Sequence, residues 1–455
     1  MTGPSFGARR LKLGLFVQET GHHLAAWRHP AATVDDGVSF ARFHRLARLA
    51  EEASLHFIFL ADTVAVRERD PAVLGRTARA TVLEPLTLLG ALAVTTERIG
   101  LIATASTTYN EPYNLARQFA SLDHLSGGRV GWNLVTTNSD FESWNFNRDA
   151  NPLHADRYAR AKEFAKVVRG LWDSFDDDAL RRDKPSGIFF PAEAMHTLHH
   201  EGPHFRVRGP LNLARPPQGH PVIVQAGSSD AGRELAAETA EVIFTAQQRF
   251  EDARVFYADV KHRLVRLGRR PEHLSIMPGL MPVIGRSRAE AEEKFAELQA
   301  LIHPSVALSQ LANQLGGVDL SPYDPDGPVP DLPETNGPKS RQRLLLDLAQ
   351  REGLTLRQLA LRNAGARGHW ILRGTPADIA DEIEHWFRGE AADGFNLMPP
   401  VLPRDAEDFV RLVLPELRRR GLFRDGFEGR TLRENLGLPR PPDRRHAAAQ
   451  PEALP

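Results

Sequence analysis

The chain has 455 residues, with 57 basic and 58 acidic side chains, a formal net charge of -1 and no cysteine. So even a balance gives no electrostatic reason to seek nucleic acid or an anionic membrane. The absence of thiols excludes disulfides, iron–sulfur clusters, cysteine nucleophiles and cysteine-held zinc.

Hydrophobic content of 42% and charged content of 25% are those of an ordinary globular protein, long enough for one large α/β barrel or two to three smaller domains. The opening MTGPSFGARRLKLGLFV carries a basic pair and a short apolar run. That run is too short for a secretory segment and lacks a small-residue cleavage site, so 11–18 (LKLGLFVQ) reads as a first strand. No apolar run approaches the roughly 18 residues that span a bilayer, and the expected location is cytoplasmic. A helix follows over 38–54, with Phe40, Phe43, Leu46, Ala47 and Ala50 on one stripe. Strand 57–62 (FIFLAD), a helix near 85–95 and strand 99–106 (IGLIATAS) come next, then a helix opened by Glu111-Pro112. The stretch SLDHLSGGRVGWNLVTTNSD (121–140) ends that helix at Leu122 and Leu125 and turns on Gly127-Gly128. It runs on as a fourth strand and finishes in a polar loop. A helix over 154–172, strand 221–227 with a helix over 230–239, and strand 241–246 with a helix over 251–267 continue the alternation. Strand 275–285 with a helix over 289–300, and strand 394–399 with a helix to about 420, complete it.

Eight strand–helix units, several with strands apolar throughout, predict a parallel sheet buried on both faces and closed as a (β/α)8 TIM barrel. A barrel needs about 250 residues, so the rest is assigned to insertions at 173–220 and 301–375; the tail 439–455 is expected to be disordered. Between the seventh and eighth strands, 301–375 would emerge at the ligand face, and its acidic, proline-rich middle over 321–340 is expected to be flexible.

Ligands of parallel α/β folds sit at the carboxyl ends of the strands. Asp62 ends the second strand there. Thr104 and Ser106, two apart on the third, share a face, and Asn133 lies on the fourth. His154 and Tyr158 open a helix at i, i+4. Gly227, Ser228 and Ser229 lead from the fifth strand into a helix amino terminus, where free N–H groups and the helix dipole favour an anion such as a phosphate. Each also has a plainer reading: Asp62 as a helix cap, Thr104 and Ser106 satisfying backbone groups, His154 and Tyr158 packed at a helix start, the serines capping a helix. Together, at one rim, they favour a bound ligand. Histidines 196, 199, 200 and 204 lack a metal-site pattern and read as structural, so no metal is expected. His22, His23 and His29 follow the first strand and either line the substrate side or lie in a solvated loop.

Several stretches resemble a known family: FLAD at 59–62, TASTTYNEPYNLARQFASLDHLSGGRVGWNLVT at 104–136, HADRY at 154–158, GPLNLARPPQGHPVIVQAGSSDAG at 209–232 and DGFNLMPP at 393–400. They are similar, in order and over about residues 10–425, to the bacterial-luciferase-like flavin monooxygenases, in the branch of nitrilotriacetate monooxygenase component A and dibenzothiophene-sulfone monooxygenase. The resemblance implies a single barrel and a two-component monooxygenase. FMNH2 would come from an NAD(P)H:flavin reductase, by transient contact or diffusion, and react with O2 to give a flavin C4a-(hydro)peroxide that oxidises a small organic substrate. It implies that Asp62, Thr104, His154, Tyr158 and Ser228 contact FMN, with Tyr158 and Ser228 at the phosphate and the others nearer the ribityl chain and ring. His154 and Asp62 are the candidate catalytic groups, stabilising flavin charge or delivering a proton; Ser106, Asn133, Gly227 and Ser229 complete the expected cofactor site. A homodimer or homotetramer is expected, and the insertions would set the substrate. A deazaflavin-dependent oxidoreductase and a non-catalytic flavin-binding barrel are the competing readings.

Overall fold

Eight parallel strands close into a ring in the computed structural model, which describes residues 9–33, 37–137, 139–332, 336 and 339–443. They are β1 (Lys12–Val17), β2 (Phe57–Leu60), β3 (Gly100–Ser106), β4 (Val130–Val135), β5 (Val222–Gln225), β6 (Val242–Thr245), β7 (Ser275–Ile284) and β8 (Gly394–Leu397). Each pairs with its successor except that β8 lies between β7 and β1; Lys12 stands opposite Gly394, and the circle closes. The protein is a TIM barrel, and its strands lie where the alternation placed them.

Period-two alternation divides each strand between two cores. Leu13, Leu15, Ile58, Leu60, Leu101, Ala103, Trp132 and Ile243 face the helices. Phe16, Phe57, Phe59, Ile102, Val224, Phe244 and Met277 fill the interior. The helices are α1 (Phe40–Glu52), α2 (Pro85–Ala93), α3 (Pro112–Ser126), α4 (His154–Trp172), α5 (Asp230–Thr239), α6 (Phe250–Arg266) and α7 (Arg288–Ala300). Proline opens α3, and Gly127 at φ 67° and Gly128 at φ 92° end it in the left-handed region that glycine tolerates. Arg129, next in sequence, is fully buried and donates to the carbonyls of Ser126, Ala93, Thr96 and Ile99 and to the Thr96 hydroxyl. The GGR motif is thus a rivet at the amino-terminal end of the barrel.

Two additions matter for the site. Insertion 301–375 builds α8 (Pro304–Gln314), α9 (Lys339–Glu352) and α10 (Leu356–Ala366) around a separate apolar cluster that includes Leu311, Leu345, Leu356 and Leu359. It returns through Trp370–Gly374, a strand that pairs parallel to the outer half of β7 and was not predicted. The expected flexible middle is clasped up to residue 332: Arg357 grips Asp326 with two nitrogens at 2.7 and 3.0 Å, and the Leu356 amide donates to the Gly327 carbonyl. Residues 333–335, 337 and 338 lie outside the described ones.

Insertion 173–220 sits at the other end. Its Arg215 donates to Asp173, Asp177 and the carbonyls of Pro441 and Pro442. The stretch Pro439–Asp443, where the disordered tail was expected to begin, lies along the surface with its carbonyls held by buried Arg433 and Arg215. Residues 444–455 of that expected tail lie outside the described residues. The short helix Leu432–Asn435 plugs the barrel floor, with Leu432 against the backbone of Gly100 and Gly131. Among the described residues no helix is long and apolar enough to cross a membrane.

Candidate functional site

A cavity of about 580 Å³, ample for a small organic ligand, opens at the carboxyl ends of the strands. Gln18 and Glu19 after β1, Asp62 after β2, Ser228 after β5, and Phe244 and Thr245 of β6 form its wall. Val306 and Gln310 of α8, Arg341 and Leu344 of α9, and Arg367 just past α10 form its roof. Phe16 stands edge-on to Phe59 and Phe244 at centroid distances of 4.9 and 5.5 Å, and His369 stacks on Phe244 at 4.9 Å. Phe244 and His369 face the cavity and Phe16 and Phe59 back them, which gives the site an aromatic floor.

Asp62 is a partly buried carboxyl on the cavity wall. Its carboxyl is pushed up to about 6 by desolvation, and the nearby Glu84 and Glu142 add to the shift. Glu142, buried beside it, accepts from the Thr63 hydroxyl at 2.9 Å and Arg67 at 2.6 Å.

Thr104 and Asn133 are neighbours across β3 and β4. Thr104 donates to the Leu60 carbonyl and receives the Asn133 amide, each at 2.8 Å, which leaves the buried Asn133 Oδ1 without a partner. Ser106 Oγ meets Thr137 Oγ1 at 2.6 Å. After β5 the chain turns sharply: a Cβ on Gly227 would stand 2.9 Å from Gly232 Cα and 3.1 Å from the Tyr158 hydroxyl. Only glycine permits this approach, and it brings Tyr158 against the start of α5. Ser229 caps that helix by accepting the Gly232 N–H at 3.1 Å, and Ser228 Oγ lies 3.1 Å from Thr245 Oγ1. The rings of His154 and Tyr158 are 4.6 Å apart.

The expected residues therefore form two groups. Asp62 and Ser228 line the cavity; Thr104, Ser106, Asn133, His154, Tyr158, Gly227 and Ser229 do not. The roof contributes to that division. Asn336 accepts the His154 N–H at 3.1 Å and donates to the carbonyls of Asn151 and Pro152, so the insertion clamps the start of α4.

The match to known proteins decides the class. Residues 20–393 match the family described as luciferase-like monooxygenase. The chain belongs to that family. It is 50% identical to N-acetyl-S-(2-succino)cysteine monooxygenase of Bacillus subtilis (strain 168), over 96% of this chain and 98% of that protein. It is 49% identical to nitrilotriacetate monooxygenase component A of Aminobacter aminovorans, over 95% and 97%. A crystal structure of riboflavin lyase with modified FMN and riboflavin superposes with a TM-score of 0.87 at 33% identity, covering 97% of this chain and all of that one. This luciferase-like monooxygenase is a flavin-dependent, two-component enzyme that uses reduced FMN supplied by a separate reductase, and O2.

The histidines that the sequence left open take defined places. His22 and His23 are fully buried, not in a solvated loop. His22 Nε2 donates to the Phe16 carbonyl at 2.8 Å, so its Nδ1 is the acceptor for Arg367 at 3.0 Å; burial holds it neutral, well below the usual histidine range. His23 lies against Gln299 and is lowered to about 4, again by burial. Half-buried His29 packs against Arg404. The later histidines pair with carboxylates, His196 with Asp176 at 2.8 Å and His200 with Glu163 at 2.9 Å. Insertion 173–220 lines no part of the cavity, and only 301–375 supplies roof residues. Arg79, Arg341 and Arg367 gave no signal, because arginine is abundant along the whole chain; only folding brings them together.

Proposed function

We propose that reduced FMN occupies this cavity with its phosphate at the β5–α5 turn and its ring over the aromatic floor, beside Asp62. The Gly227 turn carries the reading: it gathers Ser228, Ser229, the Tyr158 hydroxyl and the first N–H groups of α5 at one point. Ser229 Oγ accepts the Gly232 N–H and keeps its own proton to donate. The free Asn133 Oδ1, buried beside Thr104, is an acceptor suited to a ligand N–H. These groups fit a flavin mononucleotide.

When bound, reduced FMN supplies the electrons that activate dioxygen. The protein's own part is positioning, exclusion of water and proton control. The roof helices lie over the cavity and, with flavin and substrate in place, would shut bulk water out of it. Asp62, with its carboxyl near 6, holds and releases a proton close to neutral pH. His154 acts from the start of α4, next to Tyr158, and reaches the flavin when the Asn336 clamp moves. Ser106 steadies the β3 rim through Thr137. The enzyme works as a cytoplasmic homodimer or homotetramer and receives its flavin from the reductase by diffusion or transient contact. Single-barrel organisation over 10–425, with the two insertions, belongs to the same reading.

Anaerobic titration tests it. Reduced FMN should bind at least tenfold more tightly than reduced riboflavin, since each charge-assisted phosphate bond contributes about 1.5–3 kcal/mol. Tyr158→Phe and Ser228→Ala should each weaken FMN and leave riboflavin unchanged. Equal affinity for the two flavins in the parent enzyme would remove the phosphate assignment.

A further inference from the structure

Three guanidinium groups converge on the cavity, two of them held by the loop after β1. Arg367 donates to Gln18 Oε1 at 2.7 Å and to His22 Nδ1 at 3.0 Å, both from the β1 side. Arg79 donates to the His22 carbonyl at 3.1 Å. Arg341 donates to the Arg367 carbonyl at 2.6 Å and approaches His369 Nε2 at 3.4 Å. All three line the cavity. In the ring order β1 and β5 lie on opposite sides, so Arg79 and Arg367, anchored on the β1 loop, are across the barrel from Ser228, while Arg341 reaches over to His369, which stacks on Phe244 of β6.

These arginines are incompletely answered. Among the described residues none of the three forms an ion pair with a carboxylate, although each guanidinium offers five N–H donors. Arg367 Nε is buried with no partner at all. Glu19 is the one carboxylate whose charge bears on Arg79 and Arg367, and none bears on Arg341. The other acids on the cavity wall are engaged or distant in the fold. Glu68 bonds Ser309, Asp140 accepts the Asn151 N–H, and Asp62 lies on the β2 rim. Nor does His22 or His369 contribute negative charge; both are buried and neutral. A cluster of positive charge taken partly out of water costs free energy unless an anion meets it. Planar guanidinium forks suit carboxylates, which they bind through paired N–H groups.

We propose that Arg79, Arg341 and Arg367 form the substrate subsite of this monooxygenase, and that the substrate is an organic acid bearing two or more carboxylates. The assignment rests on the cavity being the flavin and substrate site. It divides the cavity in two: a phosphate end at β5 and a carboxylate end at β1, with the aromatic floor between them. A singly charged acid would answer one guanidinium and leave the others as they are; two or three carboxylates match the cluster.

Calorimetric titration of the FMN-loaded enzyme at low ionic strength tests this, with tricarballylate as probe and its trimethyl ester as the uncharged twin. Tricarballylate should bind at least tenfold more tightly than the ester and weaken as salt is raised from 50 to 500 mM. Arg367→Gln and Arg79→Gln should each lower its affinity tenfold or more while FMN affinity stays within twofold. The assignment is overturned if acid and ester bind alike, if tricarballylate does not bind, or if the variants bind it as the parent does. It is equally overturned if the variants lose FMN instead, which would make the arginines the phosphate site. The acid–ester comparison needs no variant, so a misfolded variant does not blunt the test. Failure of the flavin reading would show separately, as absent FMN binding in the parent enzyme.

Discussion

At the amino-terminal end of the barrel, Arg129 spends its donors on four carbonyls and a hydroxyl, Arg215 on two aspartates and two carbonyls, and Arg424 on Ser54, Leu55 and Asn435. Arg433 meets Glu241 there as well as the His220 carbonyl. At the carboxyl end, Arg79, Arg341 and Arg367 are only partly buried, and they make few bonds and no ion pair among the described residues. The same side chain is a rivet where its donors are answered and a receptor where they are not. Its bonding and its access to the cavity together tell which.

The largest effect should come from breaking the riveted end. Arg433→Met would leave the part-buried Glu241 with the Ile223 N–H as its remaining hydrogen-bond partner. Loss of one member of a buried pair costs about 3–5 kcal/mol, which denaturant unfolding would read, while FMN affinity should be unchanged. A small stability loss, or a loss of flavin binding, would erase the distinction between the two ends.

Acid should act next most strongly, through histidines. Burial lowers His22, His23, His56 and His369 below their usual value. Below about pH 6.5 the unfolded chain takes up protons that the folded chain refuses, so their stability is present above that pH and lost as pH falls. His23, lowered to about 4, alone should cost about 2 kcal/mol at a pH of about 5. Asp62 and Asp123, both raised to about 6 by burial, act in the opposite sense from about pH 6 down to about 4 and offset part of the loss. The thermal midpoint measured from pH 8 to 5 should fall; a flat profile would mean that the carboxyl-end histidines are not held neutral.

A third expectation isolates Asp62. Asp62→Asn removes a charge that the folded protein disfavours, so the variant should be more stable than the parent above pH 6 and equal to it near pH 4. In a dry interior the gain would approach about 3 kcal/mol, but water reaches this half-buried carboxyl and about 1 kcal/mol is expected. The pH–rate profile should lose its inflection near 6. The smallest change should follow Arg367→Gln, whose unfolding free energy should stay within about 0.5 kcal/mol of the parent. A large drop would make Arg367 a rivet after all.

How much of this was legible follows from what is local. Strand and helix periods carried the eight barrel units, and the Gly127-Gly128 turn and the Gly227–Ser229 turn each announced themselves, because glycine at a strand end has few other uses. Asp62 and Ser228 reach the cavity as their strand-end positions implied. The place of insertion 301–375 at the ligand face was legible from its position between two strands, but what it contributes there was not. Its helices bury a core of their own, and the placement of Arg341, Arg367 and Asn336 over the mouth depends on packing between segments far apart in sequence. The start of the tail escaped for the same reason: PRPPD, residues 439–443, has the composition of a disordered end and is held by Arg215 and Arg433 from elsewhere.

The floor plug has a consequence for how the chain is made. Arg9 bonds Asp393 across 384 positions, and Arg98 bonds the Gly429 carbonyl across 331. Neither the ring of strands nor its seal can form until those late residues have left the ribosome. At roughly 5–20 residues per second, the first strands spend tens of seconds with Phe57, Phe59 and Ile102 lacking their final neighbours. The nascent barrel is therefore an open sheet with two exposed edges, the form most exposed to wrong pairing. Chaperone occupancy should persist until the Leu432 segment emerges.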